Sequence, residues 1–187
     1  MVDMFNTRKK DILLKLDKSS KGDWDKKIAP LCNKINKMKN YYTTSSCAGR
    51  VVVLVDKEKK EPGSFLFVSH DLLNYKKLKN ALNKVNYSKL VKFKQEPCIL
   101  HVACRTFKDA EVLLKKAQLA GWKRSGIISH KNKFVCELLS TEKLEFPLMN
   151  KGKILVDDDF LELVVKKSNE NLKKSWEKIE NLGKSLV

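Results

Sequence analysis

The strongest restriction on the fold comes from Val51-Val52-Val53-Leu54-Val55, five consecutive apolar residues of which four are β-branched. A run of this kind is a buried strand, and at this length it cannot cross a bilayer. Directly before it stands TTSSCAGR, Thr43 to Arg50. Two threonines, two serines, a cysteine, a glycine and an arginine in eight residues are poor material for a core strand. The stretch predicts a small polar turn that feeds the strand. Such a turn gathers backbone N–H groups, hydroxyls and a guanidinium at one spot, which suits an anionic or carboxylate-bearing ligand. The plainer alternative is a Ser/Thr-rich turn that caps the strand.

The neighbouring segments alternate between helical and extended patterns. Residues 4 to 17 read as an amphipathic helix, and Ser19 to Gly22 as a turn. Trp24, Ile28, Leu31, Ile35 and Met38 form one face of a second helix, with Pro30 as a local kink. Ser64 to Ser69 pairs with the valine run as a hairpin, across a charged turn from Lys57 to Gly63. His70 follows that strand, and Asp71 caps a helix that turns Tyr75, Leu78, Leu82 and Val85 inward. Leu90 to Phe93 is a strand that breaks at Glu96-Pro97. Thr106 and Asp109 have the spacing of a capping box, and Gly121 stops the helix they open. Ile127–Ser129 and Phe134–Leu139 pair, Leu144–Leu148 reads as an edge strand, and Ile154–Val156 as a last short one. A long polar helix closes the chain at about 158–182, its tail lysines facing solvent.

This order predicts an α+β (mixed α/β) fold: a single compact domain over residues 1–187, with its core in about 4–160 and one mixed sheet flanked by helices. The seven glycines never fall closer than five apart, so there is neither a G-x-G-x-x-G fingerprint nor a P-loop, and a Rossmann-type cofactor site is excluded. No H-E-x-x-H, C-x-x-C or G-x-S-x-G occurs, which removes zincins, zinc ribbons and α/β-hydrolases. The five cysteines are odd in number and mostly lie in apolar patterns, as reduced thiols of a cytoplasmic protein do. Neither a signal peptide nor a membrane span is expected.

The formal charge of +17 points to a polyanion, with nucleic acid as the natural partner. Only four of the 39 basic residues are arginine (Arg8, Arg50, Arg105, Arg124). Arginine kept where lysine is the habit marks places that need a planar fork for a carboxylate or phosphate. One of these ends EPCILHVACR, Glu96 to Arg105. As a strand it puts Cys98, Leu100, Val102 and Cys104 on a core face, and Ile99, His101, Ala103 and Arg105 on the other. The small alanine between His101 and Arg105 leaves room for something to lie over that second face. Alternation points His101 away from both cysteines, so no zinc set forms and no metal is expected.

The order and spacing of SSCAGR, a strand ending in Ser69-His70, EP-x-x-LHV-x-CR, Ser125-Gly126-Ile127 and the late LE-x-PL resemble the wybutosine-synthesis methyltransferase family, the third protein of that tRNA pathway. The similarity runs from Asp17-Lys18-Ser19 to about Val156. It implies methyl transfer from S-adenosylmethionine to a ring nitrogen of the tricyclic guanine derivative beside the anticodon of phenylalanine tRNA, on a fold that is not Rossmann-like. The family's shared positions fall on Ser45, Ser46, Cys47, Gly49 and Arg50, on His70, on Glu96, His101 and Arg105, and on Ser125 and Gly126. Under this resemblance Arg50 or Arg105 grips the methionine carboxylate, with Ser45, Ser46 and nearby N–H groups completing its hydrogen bonds. His70 or His101 collects a proton, Glu96 being the acidic alternative, and Cys47 is a packed small residue. Surface lysines hold tRNA phosphates. The loop from Lys57 to Gly63 departs from the family's more glycine- and aromatic-rich turn, and Phe65 or Phe67 stands where the family often has tryptophan. The competing reading is a non-catalytic RNA-binding module of the same fold; a third is a thiol-dependent hydrolase built on Cys47.

Overall fold

The computed structural model describes residues 3–14, 25–56, 63–130 and 133–186. In chain order these form α1 (Met4–Leu13), α2 (Ala29–Lys37), β1 (Tyr41–Cys47), β2 (Arg50–Val55), β3 (Phe65–Ser69), α3 (Tyr75–Leu82) and β4 (Val91–Glu96). They continue with β5 (Ile99–Cys104), α4 (Phe107–Leu119), β6 (Gly126–Ser129), β7 (Phe134–Leu139), β8 (Leu144–Asn150), β9 (Lys153–Ile154) and α5 (Asp158–Ser185). They divide into two compact units. The first takes the chain up to Ala48, Cys98–Thr141 and the chain from Ser175 on; the second takes Gly49–Pro97 and Glu142–Lys174.

The sheet of the first unit has the order β1-β5-β7-β6, and that of the second β3-β2-β4-β8-β9. The α+β class holds, without a Rossmann sheet. In place of one mixed sheet there are two, with every hydrogen-bonded pair antiparallel. The reason lies in the connections. β5 and β6 both run antiparallel to β7, so they are parallel to each other with α4 as their crossover. β3 and β4 stand in the same relation across β2, with α3 between them in sequence. In each sheet a third strand fills the gap that a parallel pair would have closed.

In the first unit, alternation along β5 sends Leu100, Val102 and Cys104 into a core with Leu31, Cys32 and Ile35 of α2, Leu113 of α4, Cys136 and Leu138 of β7, and Leu182 of α5. Trp122 is fully buried there and its Nε1 donates to the Lys178 carbonyl at 3.0 Å. Thr106 and Asp109 complete the expected capping box, and Gly121 ends the helix at φ 96°. In the second unit β2 is buried on both faces, with Val51, Val52 and Val53 at 0% exposure. Phe93 stacks on Phe146, which meets Phe160 of α5 edge-on. Gln95 is buried, donating to the carbonyls of Glu96 and Glu142 and accepting from Asn171 Nδ2.

Several expectations shift. Thr43 to Cys47 is strand and not turn, because β1 pairs with β5 along its length and the ladder satisfies the backbone that polar side chains were expected to serve. The turn shrinks to Ala48-Gly49, where Gly49 adopts φ 99°, a conformation an L side chain rarely takes. Pro30 lies in the first turn of α2, where its missing N–H breaks no bond, so it starts the helix without kinking it. Asn74, not Asp71, caps α3, its side chain accepting from the Lys77 N–H, and Val85 lies beyond the helix end. β4 runs on to Glu96, past the expected end at Phe93, with Lys92 and Lys94 facing away from the core. β8 is interior, flanked by β4 and β9, because a turn at Lys151-Gly152 folds β9 onto it. β9 is Lys153–Ile154, shorter and earlier than expected. α5 starts beside the Asp157 side chain, which accepts from the Phe160 N–H, and reaches Ser185. Trp24, the turn at Ser19 to Gly22, the start of the resemblance at Asp17 and the loop at 57–62 lie outside the described residues.

Candidate functional site

In the second unit, register builds one end of the sheet from residues far apart in sequence. Arg50 opens β2 and stands directly opposite Glu96, the last residue of β4. Their side chains meet at 2.6 Å through Arg50 Nε and Glu96 Oε2, at 28% and 34% exposure. The ring of Phe65 lies under the guanidinium, 5.5 Å from its centre. On the other side of β2 the ladder closes at Val51 and Ser69, so Arg50 and half-buried His70 are the next residues along that same end. Register thus brings the backbones of three of the residues singled out from sequence, Arg50, His70 and Glu96, to one end of the sheet, and the side chains of Arg50 and Glu96 into contact. Glu96 occupies only Nε. The two terminal nitrogens of Arg50 have no partner among the described residues, and together they form an edge of the fork that can take a carboxylate with two parallel bonds.

The first unit holds the other residues. Ser45 of β1 pairs with His101 of β5, His101 with Glu137 of β7, and Glu137 with Gly126 of β6. This polar row crosses the whole sheet. His101 Nε2 sits 2.8 Å from Glu137 Oε2, so the carboxylate orients the ring. Ser125 spends its hydroxyl locally, donating to the Trp122 carbonyl at 2.6 Å and accepting from the Leu139 N–H. Among the described residues, and apart from Gly126 and its two chain neighbours, no atom lies within 4 Å of where a Cβ on Gly126 would stand.

At the end of β1, Ser46 lies beside the Cys32 thiol, which burial pushes up to about 11. Asp25, 8% exposed, accepts the Ala48 N–H at 3.2 Å and so holds the backbone just after Cys47. Sequence reasoning missed Asp25 and Glu137. Asp25 was hidden in a lysine-rich run, and Glu137 in a strand read only for its apolar residues. A period-two reading of Phe134–Leu139 would have put Glu137 on the solvent side, but only sheet register pairs it with His101.

Arg105 is placed differently. It lies just beyond β5 at the end that pairs with Tyr41, while Cys47 pairs at the other end, about 20 Å away along the strand. Its Nη1 donates to Asp3 Oδ2 at 2.9 Å and its Nη2 to Asn6 Oδ1 at 2.7 Å, and it stacks on Phe5 at 4.6 Å. The guanidinium holds the Asp3 carboxyl below its usual range. The room over Ala103 is filled by the chain itself, with Phe5 and Ile12 of α1 packing on Tyr42, Ala103 and Val135. The zinc set fails as alternation required: Cys98 and Cys104 are buried on the core face, and His101 points from the other.

Residues 7–187 match the family described as Methyltransferase TYW3. The chain is 37% identical to an Archaeoglobus fulgidus protein named tRNA(Phe) 7-((3-amino-3-carboxypropyl)-4-demethylwyosine(37)-N(4))-methyltransferase, covering 100% of this chain and 93% of the relative. It is 35% identical to the tRNA wybutosine-synthesizing protein 3 homolog of Xenopus laevis, over 97% of this chain and 74% of the relative. Among solved structures, the PH1069 protein of Pyrococcus horikoshii superposes with a TM-score of 0.89 at 32% identity, over 98% of this chain and 96% of that one. No helix among the described residues is long and apolar enough to cross a membrane. A catalytic role therefore stands above that of a bare RNA-binding module, and the chain belongs to the TYW3 methyltransferase family.

Proposed function

We propose that the protein methylates the N4 ring nitrogen of the tricyclic wybutosine precursor at position 37 of phenylalanine tRNA, the reaction in the name of its Archaeoglobus relative, with S-adenosylmethionine as donor in the cytoplasm. The observation that carries the reading is the Arg50–Glu96 pair, which presents a guanidinium whose terminal nitrogens have no partner among the described residues. Bound S-adenosylmethionine supplies a methyl group on a cationic sulfur, already activated for displacement. Arg50 holds the methionine carboxylate through its two terminal nitrogens, and Glu96 fixes the plane of the fork from behind. Positioning then does most of the catalytic work. His70, at the same end of the sheet, would accept the proton that the ring nitrogen gives up as the methyl passes to it from sulfur, the sulfur–methyl bond breaking and S-adenosylhomocysteine leaving. Glu96 is committed to Arg50 and is not the base. The five thiols support a reducing compartment. That the chain leaves and re-enters each unit supports reading residues 1–187 as one domain.

The test is direct. Phenylalanine tRNA carrying the demethylated precursor is incubated with enzyme and methyl-labelled S-adenosylmethionine, and the digested nucleosides are weighed by mass spectrometry. One labelled methyl on the precursor is expected. Tight tRNA binding with no transfer would overturn the reading in favour of the binding module.

A further inference from the structure

Some cations of the second unit are neutralised: Lys92 pairs with Asp56 at 2.9 Å, Lys94 with Glu145 at 2.7 Å, and Lys79 with Asp158. Lys77 of α3 and Lys84 just after it are exposed and have no acidic partner among the described residues. Both line a groove of about 870 Å³ between β3, an edge strand, and α3 with the segment that follows it. Phe67 and Tyr87, each half-buried, and the side-chain amides of Asn80 and Asn86 complete its working surface. None of the residues lining it is acidic.

This set has the chemistry of a single-stranded nucleic-acid site. Unneutralised ammonium groups attract phosphates. Half-buried rings offer faces on which bases stack without regard to sequence. Asparagine amides present a donor and an acceptor to base edges. An acidic peptide would use the lysines but leave the rings and amides idle, and an apolar ligand would leave the lysines idle.

Arg50, His70 and Glu96 are not among the residues that line the groove. We propose that the groove between β3 and α3 is a docking site for a single-stranded stretch of the substrate RNA other than the reacting base. The proposal rests on the tRNA-methyltransferase reading and deepens it, because it assigns affinity to a surface separate from the chemistry.

The test compares the wild type with a Lys77→Glu/Lys84→Glu double variant, using precursor-bearing phenylalanine tRNA in a salt series. A Lys173→Glu/Lys174→Glu pair, on exposed positions of α5, makes the same change in net charge elsewhere. Equal melting temperatures for all three establish that the variants are folded. For the groove pair the Kd for tRNA rises at least about 10-fold at low salt. The slope of log affinity against log salt shrinks by about 1.4–1.8, the loss of two phosphate contacts. KM for tRNA rises, while kcat and S-adenosylmethionine affinity stay at wild-type values. Tyr87→Ala weakens tRNA binding by about 5-fold or more through lost stacking. Equal losses in both charge-reversed pairs, or unchanged affinity and slope in the groove pair, overturn the proposal while leaving the methyltransferase reading intact. Wild-type protein that binds tRNA through this groove yet transfers no methyl overturns the enzymatic reading and leaves the groove standing.

Discussion

Replacing Arg50 by lysine keeps the charge and removes the fork. In the native arrangement Nε is held by Glu96 at 2.6 Å and two terminal nitrogens are left for a carboxylate. An ammonium at that position retains at most one of those two charge-assisted bonds. The bond lost is worth about 1.5–3 kcal/mol, which is about 12- to 160-fold in Kd. Glu96 stays beside the new ammonium and competes for it, which favours the upper half of that range. Calorimetric titration with S-adenosylhomocysteine, which keeps the amino-acid carboxylate, measures the loss. Titration with methylthioadenosine, which lacks the amino-acid portion, is the control and should give the wild-type Kd. If Arg50→Lys weakens both ligands equally, or neither, the carboxylate clamp is wrong and Arg50 serves something else.

Other consequences follow from the same geometry. His70→Gln should lower kcat by about 10²-fold, the small end of general-base effects because the proton can also leave to water; S-adenosylhomocysteine affinity should not change, and a full-speed variant removes His70 from the chemistry. Trp122→Phe empties part of a fully buried site and deletes the bond to the Lys178 carbonyl. The cost is about 2 kcal/mol from a lost hydrogen bond and a small cavity, read as a lower urea midpoint at unchanged slope. Glu145 is held down from 4.5 to about 2, first by Lys143 and then by Lys94. Its folded value is depressed, so its stabilisation is full above the ordinary carboxyl range and disappears as pH falls from about 4.5 towards 2. The ceiling is about 3 kcal/mol, and partial solvent access brings it to about 1 kcal/mol. Glu145→Gln should therefore be less stable than wild type at pH 7 and match it near pH 2; an equal deficit at both ends would show that the ion pairs contribute nothing.

Patterns confined to one segment were readable from the chain alone. The period of two in EPCILHVACR assigned the faces of β5 correctly, because alternation is a property of extended backbone whatever its neighbours. The valine run was a buried strand, and Thr106 with Asp109 capped a helix, since both depend on residues within a few positions of one another. SSCAGR and the motifs spaced after it pointed to the right family. Tertiary structure decided what those faces meet. It made a strand of the polar residues Thr43 to Cys47 by giving them a ladder on β5. It covered the Ala103 end of the outer face of β5 with α1, which leaves Arg105 bonded to Asp3 and Asn6. It set Glu96 across from Arg50, Glu137 beside His101 and Asp25 on the Ala48 N–H. Each of these contacts joins residues at least twenty positions apart, and local periodicity carries no information on which strand lies next to which. Register between strands is fixed by the packing of the whole sheet, and that register separates two arginines that look alike in sequence: Arg105, with both terminal nitrogens occupied, and Arg50, with neither occupied among the described residues.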